Sequence, residues 1–381
     1  MLFEPPPLAL YVHLPWCVRK CPYCDFNSHA MPQNMPQREY IEALIEDLDH
    51  DLTKVRDRTL ISIFFGGGTP SLFSPEEIGL LLEAVRARFV VSDELEVTLE
   101  ANPGTIEHGR FAGYREAGVT RVSLGVQSFN EQQLKTLGRI HGAGDVHRAV
   151  DELRRAGLDN FNLDLMYGLP QQSIEEALQD LRSAIELQPA HISHYQLTLE
   201  PGTVFYHRPP PLPDDDASWQ MQTESQALLD RFGYSQYEIS AYAQAGRQCR
   251  HNLNYWQFGD YLGIGAGAHG KLTVQDGIQR TARCKQPREY LSRAGADRIV
   301  EHRWLSSAEL PFEFMLNALR LRAGVPASLF QARTGLALDV MESQLTAARA
   351  KGLLADTPGR LAATELGLQF LNDLQSIFLP A

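Results

Sequence analysis

From the N-terminus to residue 200 the chain alternates between short apolar runs and stretches with helical spacing. The runs at 8–14, 60–65, 96–100, 121–126, 160–166 and 191–200 are nearly continuous, the pattern of parallel strands covered on both faces. Between the first two, Tyr40, Ile41, Leu44, Ile45 and Leu48 recur on one helical face, and between the second and third Ile78, Leu81, Leu82 and Val85 do the same. Ser74-Pro75-Glu76-Glu77 and Ser173-Ile174-Glu175-Glu176 read as helix starts, with a capping serine and early carboxylates. Gly118 and Gly157 fall where helices should stop.

The pattern predicts an α/β chain of six strand–helix units. Its polar and glycine motifs all sit at the C-terminal ends or late positions of predicted strands: Cys17, Gly66 to Pro70, Glu100, Gln127, Asp164 and Glu200. Convergence from that many consecutive strands is easier around a barrel rim than at the single switch point of an open sheet. The expected core is therefore a partial (β/α)6 TIM-like barrel in a domain of residues 1–270, including a less regular extension from 209. A connecting segment, 271–310, should follow. Residues 311–381 change character, with short helices at 311–321, 326–332 and 338–350, a hairpin at 353–362 turning at Thr357-Pro358-Gly359, and a last helix at 366–379. That order is a smaller helical, winged-helix-like domain.

Composition narrows the possibilities. With 381 residues and 44% apolar content the chain can bury a large core. Met1 to Pro7 lacks the basic and apolar regions of a leader, and no apolar stretch approaches the roughly 20 residues of a membrane span. Five cysteines, three of them clustered, fit a reducing compartment and a cytoplasmic location. A net charge of −12 argues against a polyanion partner. Nor does residue 309 onward present a basic face, with six Lys or Arg against seven Asp or Glu, so the winged-helix likeness does not imply nucleic-acid binding.

Cys17, Cys21 and Cys24 follow the first strand as C-x-x-x-C-x-x-C. Three thiolates are one too few to close a four-iron cube, leaving one iron open for an exchangeable ligand. Zinc would want a second pair at matching spacing, whereas Cys249 and Cys284 are distant and 35 residues apart. Gly66-Gly67-Gly68-Thr69-Pro70 allows close backbone approach to a ligand. It is no nucleotide fingerprint, and neither is the run from Gly263 to Gly270.

Tyr11-x-His13-x-Pro15-x-Cys17, Cys21-x-Tyr23-Cys24 and the glycine run together resemble the radical S-adenosylmethionine (SAM) superfamily, and within it the oxygen-independent coproporphyrinogen III oxidase family. The resemblance implies a [4Fe-4S] cluster on Cys17, Cys21 and Cys24, with SAM on the fourth iron. It also implies SAM contacts at Tyr11, Gly67, Gly68, Thr69, Glu100, Gln127, Arg139 and Asp164, while Tyr23 can offer adenine an aromatic surface.

Two departures redirect the reading. Oxidases of this family carry a cysteine two positions past the third ligand, where this chain has Phe26, and a longer extension than the ten residues before Tyr11. Cys24 to His29 and His251-Asn252-Leu253-Asn254-Tyr255-Trp256 instead resemble the HemW branch, regarded as heme chaperones, in which the His-Asn-x-x-Tyr-Trp segment is linked to heme. The expectation is a protein that binds heme, with His251 as a candidate ligand, and passes it to hemoprotein acceptors. Its radical SAM scaffold would then lack coproporphyrinogen oxidase activity. The alternative is a coproporphyrinogen III dehydrogenase that oxidatively decarboxylates two propionates.

Overall fold

The computed structural model describes residues 5–104 and 109–380. Residues 1–4, which open the segment read for a leader, lie outside the described residues. Six parallel strands form the centre in sequential order: β1 (Leu8–Leu14), β2 (Thr59–Gly67), β3 (Val90–Ala101), β4 (Arg121–Gln127), β5 (Phe161–Tyr167) and β6 (His191–Gln196). Each crossover is helical: α1 (Gln37–Leu52), α2 (Pro75–Arg88), α3 (Phe111–Ala117), α4 (Glu131–Thr136) with α5 (Ala143–Arg155), and α6 (Ile174–Glu186). The expected caps form, since Ser74 and Ser173 side chains accept from Glu77 and Glu176 N–H, and Gly118 ends α3 at φ +111°.

Alternation along the strands separates two faces. Leu10, Val12, Ile63, Phe65, Val97, Leu99, Leu124, Leu163 and Ile192 pack outward under helix residues such as Leu44, Leu82, Val150 and Leu181. The opposite face carries Ser62, Thr98, Glu100, Ser123, Asn162, Asp164, His191 and Ser193. This corrects the expectation of strands apolar on both faces: the barrel encloses a polar interior. Those groups satisfy one another. Asn162 donates to Ser123 and Asp164 at 2.7 and 2.8 Å, and its Oδ1 lies 2.6 Å from His191 Nδ1.

On the far edge, β7 (Ser235–Gln236) and β8 (Ala241–Ala243) add antiparallel to β6. On the near edge, β9 (Asp260–Ile264) pairs parallel with β1, and β10 (His269–Val274), β11 (Gly277–Arg283) and β12 (Ile299–Trp304) continue antiparallel. Residues 271–310, expected as a connecting segment, thus supply three strands' worth of sheet edge, because each pairs with its neighbour. Between the two edges, α7 (Asp215–Arg231) packs on α6, and α8 (Arg250–Trp256) packs against β1 and β2.

A second apolar cluster organises the C-terminal segment around Phe314, Phe330, Met341 and Leu345 on helices Leu310–Ala318, Ser328–Thr334 and Glu342–Ala350 and the short turn before the last of them. The hairpin expected at 353–362 is reduced to the single antiparallel bridge of Leu354 with Ala363, supported by Ala355 N–H to Ala362 O at 2.9 Å, while Arg360–Leu361 pairs instead with Val325–Pro326. The last helix is broken in two, Glu365–Gln369 and Leu371–Ser376. Among the described residues no helix is long and apolar enough to cross a membrane.

Candidate functional site

The cysteine loop leaves the C-terminal end of β1. Trp16–Cys17 pairs with His29–Ala30, and His29 N–H donates to Pro15 O at 2.7 Å, closing the intervening residues into a tight loop. All three thiols are half-buried. Burial pushes the Cys17 and Cys24 thiols up, partly offset by Thr69 at the first and by the Phe26 backbone and Ser28 at the second. Bound iron reverses that tendency, because a cation favours thiolate. Among the described residues no three metal-ligating side chains close on a single ion.

The glycine run packs directly against this loop. Gly68 and Thr69 N–H donate to Leu14 O and Trp16 O at 2.8 Å each, and a Cβ on Gly68 would stand 2.5 Å from Trp16 O. Gly67, at φ +113°, leaves room for the His13 ring. These N–H groups are therefore committed within the protein. Thr69 Oγ1 accepts from Asn102 Nδ2 at 3.1 Å, and Asn102 Oδ1 in turn accepts from Arg139. Arg139 also donates to Gly125 O at 2.6 Å and approaches Cys21 Sγ at 3.6 Å, while its Nε is buried with no partner. Gln127, at φ +71°, sits beside Gly125, and Tyr23 packs on Phe205. Asp164 accepts from Ser123 at 2.9 Å. Glu200, by contrast, serves local turns, its carboxylate accepting from Thr198 Oγ1 and its carbonyl from Thr203 Oγ1, both at 2.7 Å.

Glu100 accepts from Gly67 N–H at 3.2 Å. Burial first, then the charge of Asp164, pushes its carboxyl up to about 8. Between the ordinary 4.5 and about 8 the unfolded chain loses this proton while the folded chain keeps it. Stability of the ligand-free protein should then fall as pH rises through that window, by at most about 1.4 kcal/mol per pH unit and less where cavity solvent screens. Glu100→Gln is expected to flatten the slope, measured as urea midpoints from pH 5 to 8; an unchanged slope would assign it to other groups.

Tyr11, Gly67 and Glu100 also line a cavity of about 700 Å³ that opens beside the cysteine loop. Its walls are aromatic, from Tyr11, Phe26, Tyr255, Trp256, Phe258 and Tyr261, and its cations are Lys20, Lys271, Arg280 and Lys285. Size and lining both suit a large planar ligand with acidic substituents. Phe26 is 61% exposed there, and the Trp256 indole N–H is buried without a partner.

His251 does not line this cavity. Its Nδ1 bonds Ser62 Oγ at 3.0 Å and its Nε2 bonds Tyr255 OH at 2.8 Å, beneath the Tyr255 ring. Both ring nitrogens of His251 thus have partners within the protein, and burial holds the ring neutral, with its pKa lowered to about 3. Its task is to orient Tyr255. Glu96 holds the start of α8 in turn, accepting from Arg250 and His251 N–H at 2.9 and 3.3 Å.

Sequence reading missed the rest of this wall. The run from Gly263 to Gly270 proves to be a close-approach loop: a Cβ on Gly265 would lie 2.4 Å from His13 O, and one on Gly267 2.3 Å from Asn27. Asn27 Nδ2 bridges to Ala266 O and Lys285 O at 2.8 and 2.9 Å, tying this loop to the cysteines. Crowded alternate glycines were the available signal.

Comparison with known proteins gives the family and the fold. The Radical SAM superfamily profile matches residues 11–184, and the HemN C-terminal domain profile matches residues 305–370. The chain is 51% identical over 379 residues to the heme chaperone HemW of Haemophilus influenzae, and 52% identical over 376 residues to that of Escherichia coli, covering 98% of each chain in both cases. Among solved structures it is similar to the E. coli coproporphyrinogen III oxidase HemN, with a TM-score of 0.82 at 22% identity, over 98% of this chain and 90% of the other. That likeness is one of fold.

Proposed function

This chain belongs to the HemW family of heme chaperones within the radical SAM superfamily, and we propose from that premise that it binds heme in the cavity beside its cysteine loop and hands it to hemoprotein acceptors. The observation that carries the reading is one shared wall. Tyr11, Gly67 and Glu100 belong both to the SAM side of the barrel and to the aromatic, cation-bearing cavity, and Phe26 of the cysteine loop faces it. Cys17, Cys21 and Cys24 would hold the [4Fe-4S] cluster, which with SAM supplies an iron centre with an exchangeable position. Gly67 and Gly68 carbonyls, Glu100 and Asp164 would meet SAM's ammonium or ribose, with Tyr11, Tyr23, Thr69, Gln127 and Arg139 completing its surroundings. Five unpaired cysteines support a cytoplasmic setting.

Anaerobically reconstituted protein is expected to bind hemin stoichiometrically and to leave coproporphyrinogen III unconverted in the presence of SAM and reductant. Formation of protoporphyrinogen, or no hemin binding with the cluster intact, would overturn the proposal; the first outcome would favour the dehydrogenase.

A further inference from the structure

We infer that His269 is the residue that ligates heme iron in this cavity, and that Lys20 and Lys285 receive the two propionates. The inference rests on the heme-binding reading above and deepens it. Heme iron is held in proteins by His, Cys, Met or Tyr, and the cavity offers His13, His269, Tyr11, Tyr255 and Tyr261. Four of these are committed. Tyr11 OH and His13 Nδ1 bond each other at 3.0 Å, and His13 Nε2 meets Asn27 O at 2.8 Å. Tyr255 OH is bonded to His251, and Tyr261 OH accepts from Arg280 at 2.6 Å. Burial raises both of those phenols, so neither offers a phenolate.

His269 differs in each respect. It opens β10 at the cavity edge, its side chain is exposed, and no hydrogen bond to either ring nitrogen is among the contacts of the described residues. Burial of part of the ring lowers its pKa, with Lys285 and Arg280 acting in the same direction against Glu301. The ring is thus neutral near pH 7, as a metal ligand must be.

A similar count selects the cations. Lys271 is paired with Asp260 at 2.8 Å, and Arg280 with Glu313 at 2.5 Å. Lys20 reaches only the carbonyls of Phe26 and Ser28, at 3.2 and 3.4 Å, and neither it nor Lys285 has a carboxylate within ion-pair distance among the described residues, although Asp25 shares the cavity. Two unpaired ammonium groups at the rim of an aromatic slot match a flat macrocycle with two carboxylates. The Cys24 loop supplies one lysine, and the strand edge that carries His269 leads to the other. Heme binding would therefore clamp the cluster loop against the β10–β11 edge.

The test uses full-length, cluster-reconstituted protein with hemin as probe. His269→Gly is expected to shift the Soret band and weaken hemin by about tenfold or more, with added imidazole restoring the wild-type spectrum. A Soret band that shifts in His251→Gln but not in His269→Gly would assign the iron to His251 and overturn the inference. The Lys20→Gln/Lys285→Gln variant should bind hemin and hemin dimethyl ester equally, whereas the wild type should prefer hemin. Unchanged spectrum and affinity in His269→Gly, with the wild type binding, would overturn the iron assignment alone, and a preference for hemin kept by the lysine variant would overturn the propionate assignment alone. A wild type that binds no hemin would overturn both these assignments and the family reading.

Discussion

Cys21→Ala is expected to abolish the iron–sulfur absorbance of the reconstituted protein completely, and Cys17→Ala and Cys24→Ala should do the same. In the proposed cluster each thiolate would serve one iron and the fourth iron would lack a protein ligand, so removing one would leave a cube with half of its irons unanchored. Nearby residues cannot substitute. Ser28 and Thr69 hydroxyls contact Cys24 and Cys17 themselves, and Cys21 is met by the Arg139 guanidinium at 3.6 Å, a cation, and by the Tyr23 phenol, whose pKa burial raises. Cys249→Ala and Cys284→Ala are the controls. Cys249 is buried against Glu96, with its thiol pushed up to about 12, and Cys284 lies in the core beneath the β11 edge, so neither reaches the loop. Iron and sulfide content, with the visible spectrum, decides the matter: cluster retained in any of the three loop variants would remove that cysteine as a ligand. The same variants should weaken hemin, because Lys20 and Phe26 ride on the loop the cluster shapes.

The reach of the sequence follows from which contacts are local. The strand Leu8–Leu14 and the capped helices were legible residue by residue, since an unbroken apolar run and a Ser-x-x-Glu start depend only on neighbours. The run at 191–200 was read too long, for the strand stops at Gln196 and Leu197 N–H turns to Tyr167 O. β3 was read too short because Val90 and Val91 are strand only by pairing with Thr59 and Leu60. Within the site, the cysteines and Gly66–Pro70 stood out because their chemistry requires fixed spacing. His269, Lys20 and Lys285 did not, since an isolated His or Lys carries no pattern. They meet only because β9 adds parallel to β1 and Asn27 bridges the two loops. The placement of His251 has the same origin: the segment was visible, but that its imidazole lies behind the Tyr255 side chain lining the cavity depended on Ser62, far away in the chain.

Arg283→Leu is expected to cost about 3–5 kcal/mol of stability and to weaken heme binding, although Arg283 does not line the cavity. The guanidinium is 1% exposed and donates to Asp47 at 2.9 Å and to Asp51 at 2.5 Å, both of them buried on α1. Replacing it with an apolar side chain strands at least one carboxylate. Lys54 still pairs with Asp51 at 2.7 Å, but Asp47 keeps only Tyr290 OH at 2.8 Å and Gly265 N–H at 3.2 Å. The second of these carries the consequence to the site. Asp47 holds Gly265 and Tyr40 OH holds Ala266 N–H at 2.8 Å, so the ion pair fixes the glycine loop whose other side meets His13, Asn27 and the cavity. Removing the stranded charge should repair part of the damage, so Asp47→Asn/Arg283→Leu is predicted to be more stable than Arg283→Leu alone, with a coupling above about 1 kcal/mol in the double-mutant cycle. Urea midpoints read the stability, and hemin titration reads the loop. Additive midpoints would deny the pair its role, while a stability loss with wild-type hemin affinity would separate the core of α1 from the cavity it is argued to brace.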